Sequence, residues 1–169
     1  MQAPPAILSR LDLMAARPSV GGLMALCEEN YAALLRLAPQ LPTLRGRLMS
    51  SPGGRAELRL TIEDQARYTS TLRLTHFLRD ADGASGQEAL EPDALLRAYH
   101  DAEQVEVLSL RETVLPVLSH YDHPALAAKW RANQFLSKWL GYCLREGHRF
   151  APGSSADLSD DRRELLSSA

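Results

Sequence analysis

The stretch Tyr68–Arg79, YTSTLRLTHFLR, alternates in side-chain type over the length of a full strand. Leu72, Leu74 and Leu78 fall on one face with His76 among them, and Thr69, Thr71, Arg73, Thr75 and Arg79 fall on the other. Successive strand side chains point to opposite faces, so this pattern predicts a half-buried antiparallel strand. Just upstream, Leu58, Leu60 and Ile62 alternate with Arg59, Thr61 and Glu63, and the short link Asp64–Arg67 suits a hairpin. Downstream, Ala94–Tyr99 and Gln104–Leu110 read as a second pair joined at His100–Glu103. Asp80–Pro92 between the pairs, acidic and glycine-bearing, predicts a loop. The expected sheet is a four-stranded antiparallel meander.

Helical periodicity brackets this sheet. From about Gly22, residues Leu23, Leu26, Cys27, Tyr31, Leu34 and Leu37 form one apolar stripe, with Glu28, Glu29, Ala32 and Arg36 opposite, and Pro39 and Pro42 end the pattern. A second helix is expected from a cap at Asp122 or His123, through Pro124 at its first position, to Gly147. Its apolar residues cover most of its circumference and leave a narrow polar strip of Arg131, Gln134, Lys138 and Arg145. Leu44–Arg55, with Ser50, Ser51, Pro52, Gly53 and Gly54, predicts a basic connecting loop. Arg111–Tyr121 fits either a strand end or a short helical turn broken at Pro116. The fold class is α+β: the four-stranded sheet packed against an N-terminal and a C-terminal helix.

A length of 169 residues accommodates one domain with a sizeable core. Its expected limits are 20–150, after an arm at 1–19 that carries Pro4, Pro5 and Pro18, and before a polar, disordered tail at 151–169. No long uncharged apolar run is present, and Arg10, Asp12 and Arg17 interrupt the N-terminal stretch where a signal peptide would be continuous. Cys27 and Cys143 lack metal-type spacing, so free thiols in a reducing cytoplasm are expected. The net charge of −2 conceals segregation. Arg45–Arg79 sets seven arginines against Glu57, Glu63 and Asp64, whereas Asp80–His123 sets ten acids against Arg97 and Arg111. Pro124–Phe150 is basic again. Such runs serve as solvated faces or as anion-binding surfaces.

Several segments carry a family resemblance: LMALCEENYAALLRL at Leu23, TSTLRLTHF at Thr69, YHDAEQVEVLS at Tyr99 and HPALAAKWRANQFLSKWLGYCLREGHRF at His123. Together, over about Gly22–Phe150, they resemble the bacterial YqiB-like family, a proteobacterial domain of unknown function. The resemblance implies a small cytoplasmic bacterial protein and brings no activity, cofactor or catalytic residue with it.

Three surfaces then compete. Asn30, His76 and Asn133 each interrupt an apolar stripe, so they form either a satisfied buried network or a polar ligand pocket with His76 as acid or base. Arg59, Arg73 and Arg97 share the solvent-facing parity with Phe77 and Tyr99, which offers nucleotide or RNA phosphates a cationic, stacking platform. Arg131, Lys138 and Arg145 repeat every seven residues and suit an acidic protein partner. A metal or catalytic cluster would have to use His100, Asp101, His120, Asp122 and His123, whose spacing is weak, and Cys27 is placed for burial without a base. Asp80, Asp82 and Glu91 match part of a calcium loop, but Ser85 stands where glycine is required. The reading is a non-catalytic binding or interaction module with no catalytic residue, metal or cofactor assigned. Nucleotide or RNA binding is the alternative, and a small-molecule pocket or enzyme using His76 follows it.

Overall fold

The computed structural model describes residues 17–54, 56–78, 89–110, 113–114 and 123–153. Helix α1 spans Val20–Leu37. Ser19 caps it, its side-chain oxygen accepting from the Gly22 amide at 3.0 Å. Leu23, Leu26, Cys27, Asn30, Tyr31, Leu34 and Leu37 are buried on its inward stripe. Six strands follow: β1 (Arg47–Ser50), β2 (Ala56–Gln65), β3 (Thr69–Leu78), β4 (Ala89–Tyr99), β5 (Gln104–Leu110) and β6 (Thr113–Val114). All pair antiparallel, in sequence order. Helix α2, His123–Arg145, closes the chain order.

The sheet is therefore larger than the four strands anticipated, with five strands of four residues or more and a two-residue sixth. The connector Leu44–Arg55 hides β1, whose four residues hold a single core leucine, Leu48, too short a run for alternation to register. Strand β4 starts at Ala89, within the segment expected to be loop, and runs through Pro92. Pro92 is tolerated because the register slips there: Thr75 faces Asp93 while Phe77 faces Leu90, so two β4 residues stand opposite His76 alone. A bulge leaves an unpaired position, and a residue without an N–H fits it. Of Arg111–Tyr121, only the β6 pair 113–114 is described, and it is strand. The partial calcium loop, His120, Asp122 and nearly all of the arm and tail lie outside the described residues.

Both helices pack on the leucine face. Leu58, Leu60, Leu72, Leu74, Leu96, Ala98 and Val105 are fully buried against Leu34, Leu37, Leu136 and Leu140. Each buried leucine contributes roughly 1.5–3 kcal/mol relative to an exposed one. The helices run parallel to each other. Leu23 and Cys27 pack on Trp130, Asn30 bonds to Asn133, and the Phe150 amide donates to the Leu37 carbonyl, so contacts advance together along both. Parallel dipoles place two partially negative ends side by side, and Arg36 and Arg145 occupy the two last turns, where a cation offsets them.

A bulge also shapes the β2–β3 hairpin. Ile62 faces Leu72, yet Asp64 faces Thr71, leaving Glu63 as the extra residue. The slip reverses parity, so Gln65 comes to the inner face opposite Ser70.

Candidate functional site

The pocket candidates separate into two places. Asn30 donates from Nδ2 to the Asn133 backbone carbonyl at 2.9 Å, and Asn133 Nδ2 donates to the Lys129 carbonyl at 2.9 Å. Cys27 Sγ lies 3.8 Å from Asn133 Oδ1. This is an interhelical polar seam, with Asn30 Oδ1 buried and without a hydrogen-bond partner among the described residues. Burial is the first cause, and the Glu106 charge the second, of a Cys27 thiol pushed up to about 12. That leaves it protonated and unreactive at neutral pH.

His76 belongs elsewhere. It is 2% exposed, and no hydrogen bond joins it to Asn30 or Asn133 among the described residues. Asn133 and Trp139 are six residues apart on α2, about 9 Å along the axis, and His76 sits at the Trp139 level. Trp139 donates its indole N–H to His76 Nδ1 at 3.3 Å. Nδ1 is thereby the acceptor, so the proton of the neutral ring is on Nε2. Nε2 has no partner. A metal taken at Nε2 would need the opposite tautomer, which sets two N–H groups against each other.

Beside it lies His148, a residue absent from the sequence reading. Its ring is 5.5 Å from that of His76, edge to face, and it is 4% exposed. Gly147 places it there. At φ +86° Gly147 adopts the left-handed conformation, while the His148 amide donates to the Cys143 carbonyl and the Gly147 amide to that of Leu144. That double closure turns the chain sharply off α2. His148 Nδ1 then meets Ser50 Oγ at 3.0 Å, and the Arg149 amide donates to the same oxygen at 3.2 Å. Burial lowers both imidazoles below the usual histidine range; for His76 the neighbouring His148 is the second cause. The Tyr142 ring covers His76 at 6.0 Å and is itself 43% exposed. A glycine followed by histidine at a helix end was the available signal.

His100 forms a second network. Gln65 Nε2 donates to the Leu41 and Leu44 carbonyls at 2.8 and 3.0 Å, which leaves its oxygen to accept from Ser70 Oγ. With that hydrogen used, Ser70 accepts from His100 Nε2 at 2.7 Å, and His100 Nδ1 accepts from the Tyr31 hydroxyl at 3.0 Å. Ser70 is fully buried and its proton faces an amide, so the pair lacks the serine-to-imidazole donation that activates a nucleophile. Among the described residues no group of three or more His, Cys, Asp or Glu is placed to hold a metal ion.

The arginines of the outer sheet face are engaged. Arg59 bonds to Glu57 at 2.9 Å and stacks over Phe77 at 4.0 Å. Arg73 reaches Asp93 at 2.9 Å and Glu63 at 3.5 Å. Arg97 donates to Thr71 Oγ1 at 3.3 Å and stands opposite Glu106, which accepts from the Tyr99 hydroxyl at 2.9 Å. Burial, then the Glu106 contact, raises the Tyr99 phenol. Arg131, Lys138 and Arg145, by contrast, are exposed and make no ion pair with any described residue. Tyr142 falls between Lys138 and Arg145 on the same face. A groove of about 280 Å³ runs beside this face between the helices, lined by Glu29, Ala33, Arg36, Gly141, Leu144 and Arg145.

A family model described as a protein of unknown function, DUF1249, matches residues 33–149. The uncharacterized protein YqiB of Escherichia coli K12 is 33% identical over 140 residues, covering 80% of this chain and 95% of the relative. YqiB of Escherichia coli O157:H7 matches with the same identity and coverage. No solved structure matches the chain significantly.

Proposed function

We infer the role of this chain from its own surface and from its membership of the DUF1249 family of unknown function, to which it belongs. It is a non-catalytic binding module whose contact strip is Arg131, Lys138, Tyr142 and Arg145 on α2. One contrast carries this reading: Arg59 and Arg73 on the sheet spend their charge on Glu57, Glu63 and Asp93, and Arg97 donates to Thr71, whereas the three α2 cations have no ion-pair partner among the described residues. Seven residues of helix rise about 10.5 Å, so the strip offers one cation per 10.5 Å over about 21 Å. A partner helix with acidic residues one heptad apart matches that spacing. Duplex nucleic acid carries a charge about every 1.7 Å and is a poor match. Tyr142 supplies the amphipathic aromatic centre that protein contacts favour.

The buried, protonated thiols and the committed Ser70 support a role without covalent chemistry, and two free buried cysteines fit a reducing cytoplasm. No helix among the described residues is long and apolar enough to cross a membrane. The test is fluorescence anisotropy with a helical peptide bearing glutamate at seven-residue spacing, run beside single-stranded RNA at low salt. The reading expects peptide binding that weakens at least tenfold in Lys138→Glu and is unchanged in Arg73→Glu. RNA binding lost in Arg73→Glu would instead support the sheet face, and binding of neither probe would remove the proposal.

A further inference from the structure

We propose that His76 and His148 form an acid-operated clasp: protonating the pair releases the segment after α2, residues 146–153, from β1 while the sheet and both helices stay folded. The geometry carries this. Two buried imidazoles stand 5.5 Å apart, edge to face, where β3, α2, β1 and the post-helix segment meet. His76 has Trp139 and Tyr142 against it from α2, Leu58 opposite it on β2, and His148 beside it. His148 has Ser50 from β1. Glu146, exposed on the segment itself, is the carboxylate whose field favours the charged form of both rings. Its attraction favours a first proton on the pair; the first proton opposes a second while the segment is docked, so the pair becomes fully charged only as the segment lets go, and titration and release are coupled.

Acid cannot be absorbed in place. His76 can gain a proton only at Nδ1, which already faces the Trp139 N–H, so the charged ring loses that bond and confronts a donor. A proton on His148 places a cation beside a ring whose free edge is also a donor, in a site closed to water. Something must move, and the anchorages differ. His76 is held in the sheet on β3, paired to β2, and Trp139 is mid-helix. The segment is held by the Ser50 contacts, the Phe150 amide bond to Leu37 and burial of the Phe150 ring. It is the weaker holding and yields first. Both imidazoles sit below the usual histidine range, which agrees with a site built for their neutral forms.

The experiment is amide exchange on the full chain at pH 7.5 and pH 5.0, expressed as protection factors so that intrinsic exchange chemistry cancels. The expected result is at least a tenfold loss of protection at His148 and Phe150, with Leu60 and Leu72 unchanged. The imidazole resonances of His76 and His148 should titrate with the same midpoint as this loss. His148→Asn, whose amide still reaches Ser50, should keep the segment protected at pH 5.0. Fluorescence of Trp139 in a Trp130→Phe background gives an independent readout of His76, because a protonated imidazole quenches a touching indole. Protection lost only in step with Leu60 and Leu72, release persisting in His148→Asn, or imidazole titration without release would each overturn the proposal.

Discussion

Gly22 on α1 meets the edge of the Trp130 indole on α2 so closely that a methyl group on the glycine would stand 2.8 Å from Cη2. No described residue comes within 4 Å of the same position on Gly21. Neighbouring glycines in one helix therefore respond oppositely to alanine. Gly21→Ala should stabilise by about 0.5–1 kcal/mol through a less flexible unfolded chain. Gly22→Ala should destabilise by roughly 1–3 kcal/mol and shift the near-ultraviolet circular dichroism of Trp130. Urea titrations of the two variants check the pair.

Asn30 is the only side chain that donates to the Asn133 backbone carbonyl across the helix pair among the described residues. Asn30→Ala should cost about 0.5–1.5 kcal/mol, since it removes the interhelical bond and leaves the Asn133 carbonyl with the bond of its own helix alone. Asn30→Asp should cost more, because a carboxylate there would face an oxygen acceptor in a dry site. Equilibrium unfolding separates the two, and equal losses would count against a polar seam.

Ser70→Ala removes the group that links Gln65 to His100. The imidazole N–H and the amide oxygen both lose a partner at once, so a loss of roughly 2–4 kcal/mol is expected. Gln65→Ala should also loosen the turn at Leu41–Leu44, visible as faster exchange there.

Acid should destabilise the fold before any carboxylate titrates. His76, His100 and His148 all lie below 6.5 in the folded chain, chiefly through burial. Between those lowered values and 6.5 the unfolded chain binds more protons than the folded one, so stability rises with pH across that window. It is complete above 6.5 and falls progressively as pH drops below it. Urea midpoints measured from pH 8 to pH 5 should decline, and a flat profile would show that the rings are not buried in solution.

Cys27 and Cys143 should be inert to thiol reagents in the native protein. Both are buried and pushed up to about 12. At pH 8 about one thiol in ten thousand is then ionised, besides being shielded. Colour development with an aromatic disulfide reagent should follow unfolding in urea, with no fast phase before it.

The strand at Tyr68–Arg79 was legible because ten residues repeat one parity, and both helices were legible because their stripes are long and capped. Strand β1 was not, because four residues between Gly46 and Pro52 give alternation too little length to show. Nor could parity locate His76: it fixes a face of the sheet but not the height along it, and height separates His76 from Asn30 and Asn133. The bulge at Glu63, which turns Gln65 inward, has no composition signal at all. Pairing of Arg73 was equally hidden, since Glu63 and Asp93 reach it through register across strands, whereas the Arg59–Glu57 pair lies two residues apart on one strand.

The order β1 to β6 follows the chain without a crossover, so each strand meets its partner across a short stretch of sequence. The helices do not: Asn30 waits for a residue 103 positions later. Local pairings form quickly and distant ones slowly. The sheet can thus grow hairpin by hairpin with its leucine face uncovered, and it gains its lid only when α2 arrives. During synthesis that bare face is the chain's period of greatest exposure to aggregation, and α1, made first, is the element that can shelter it.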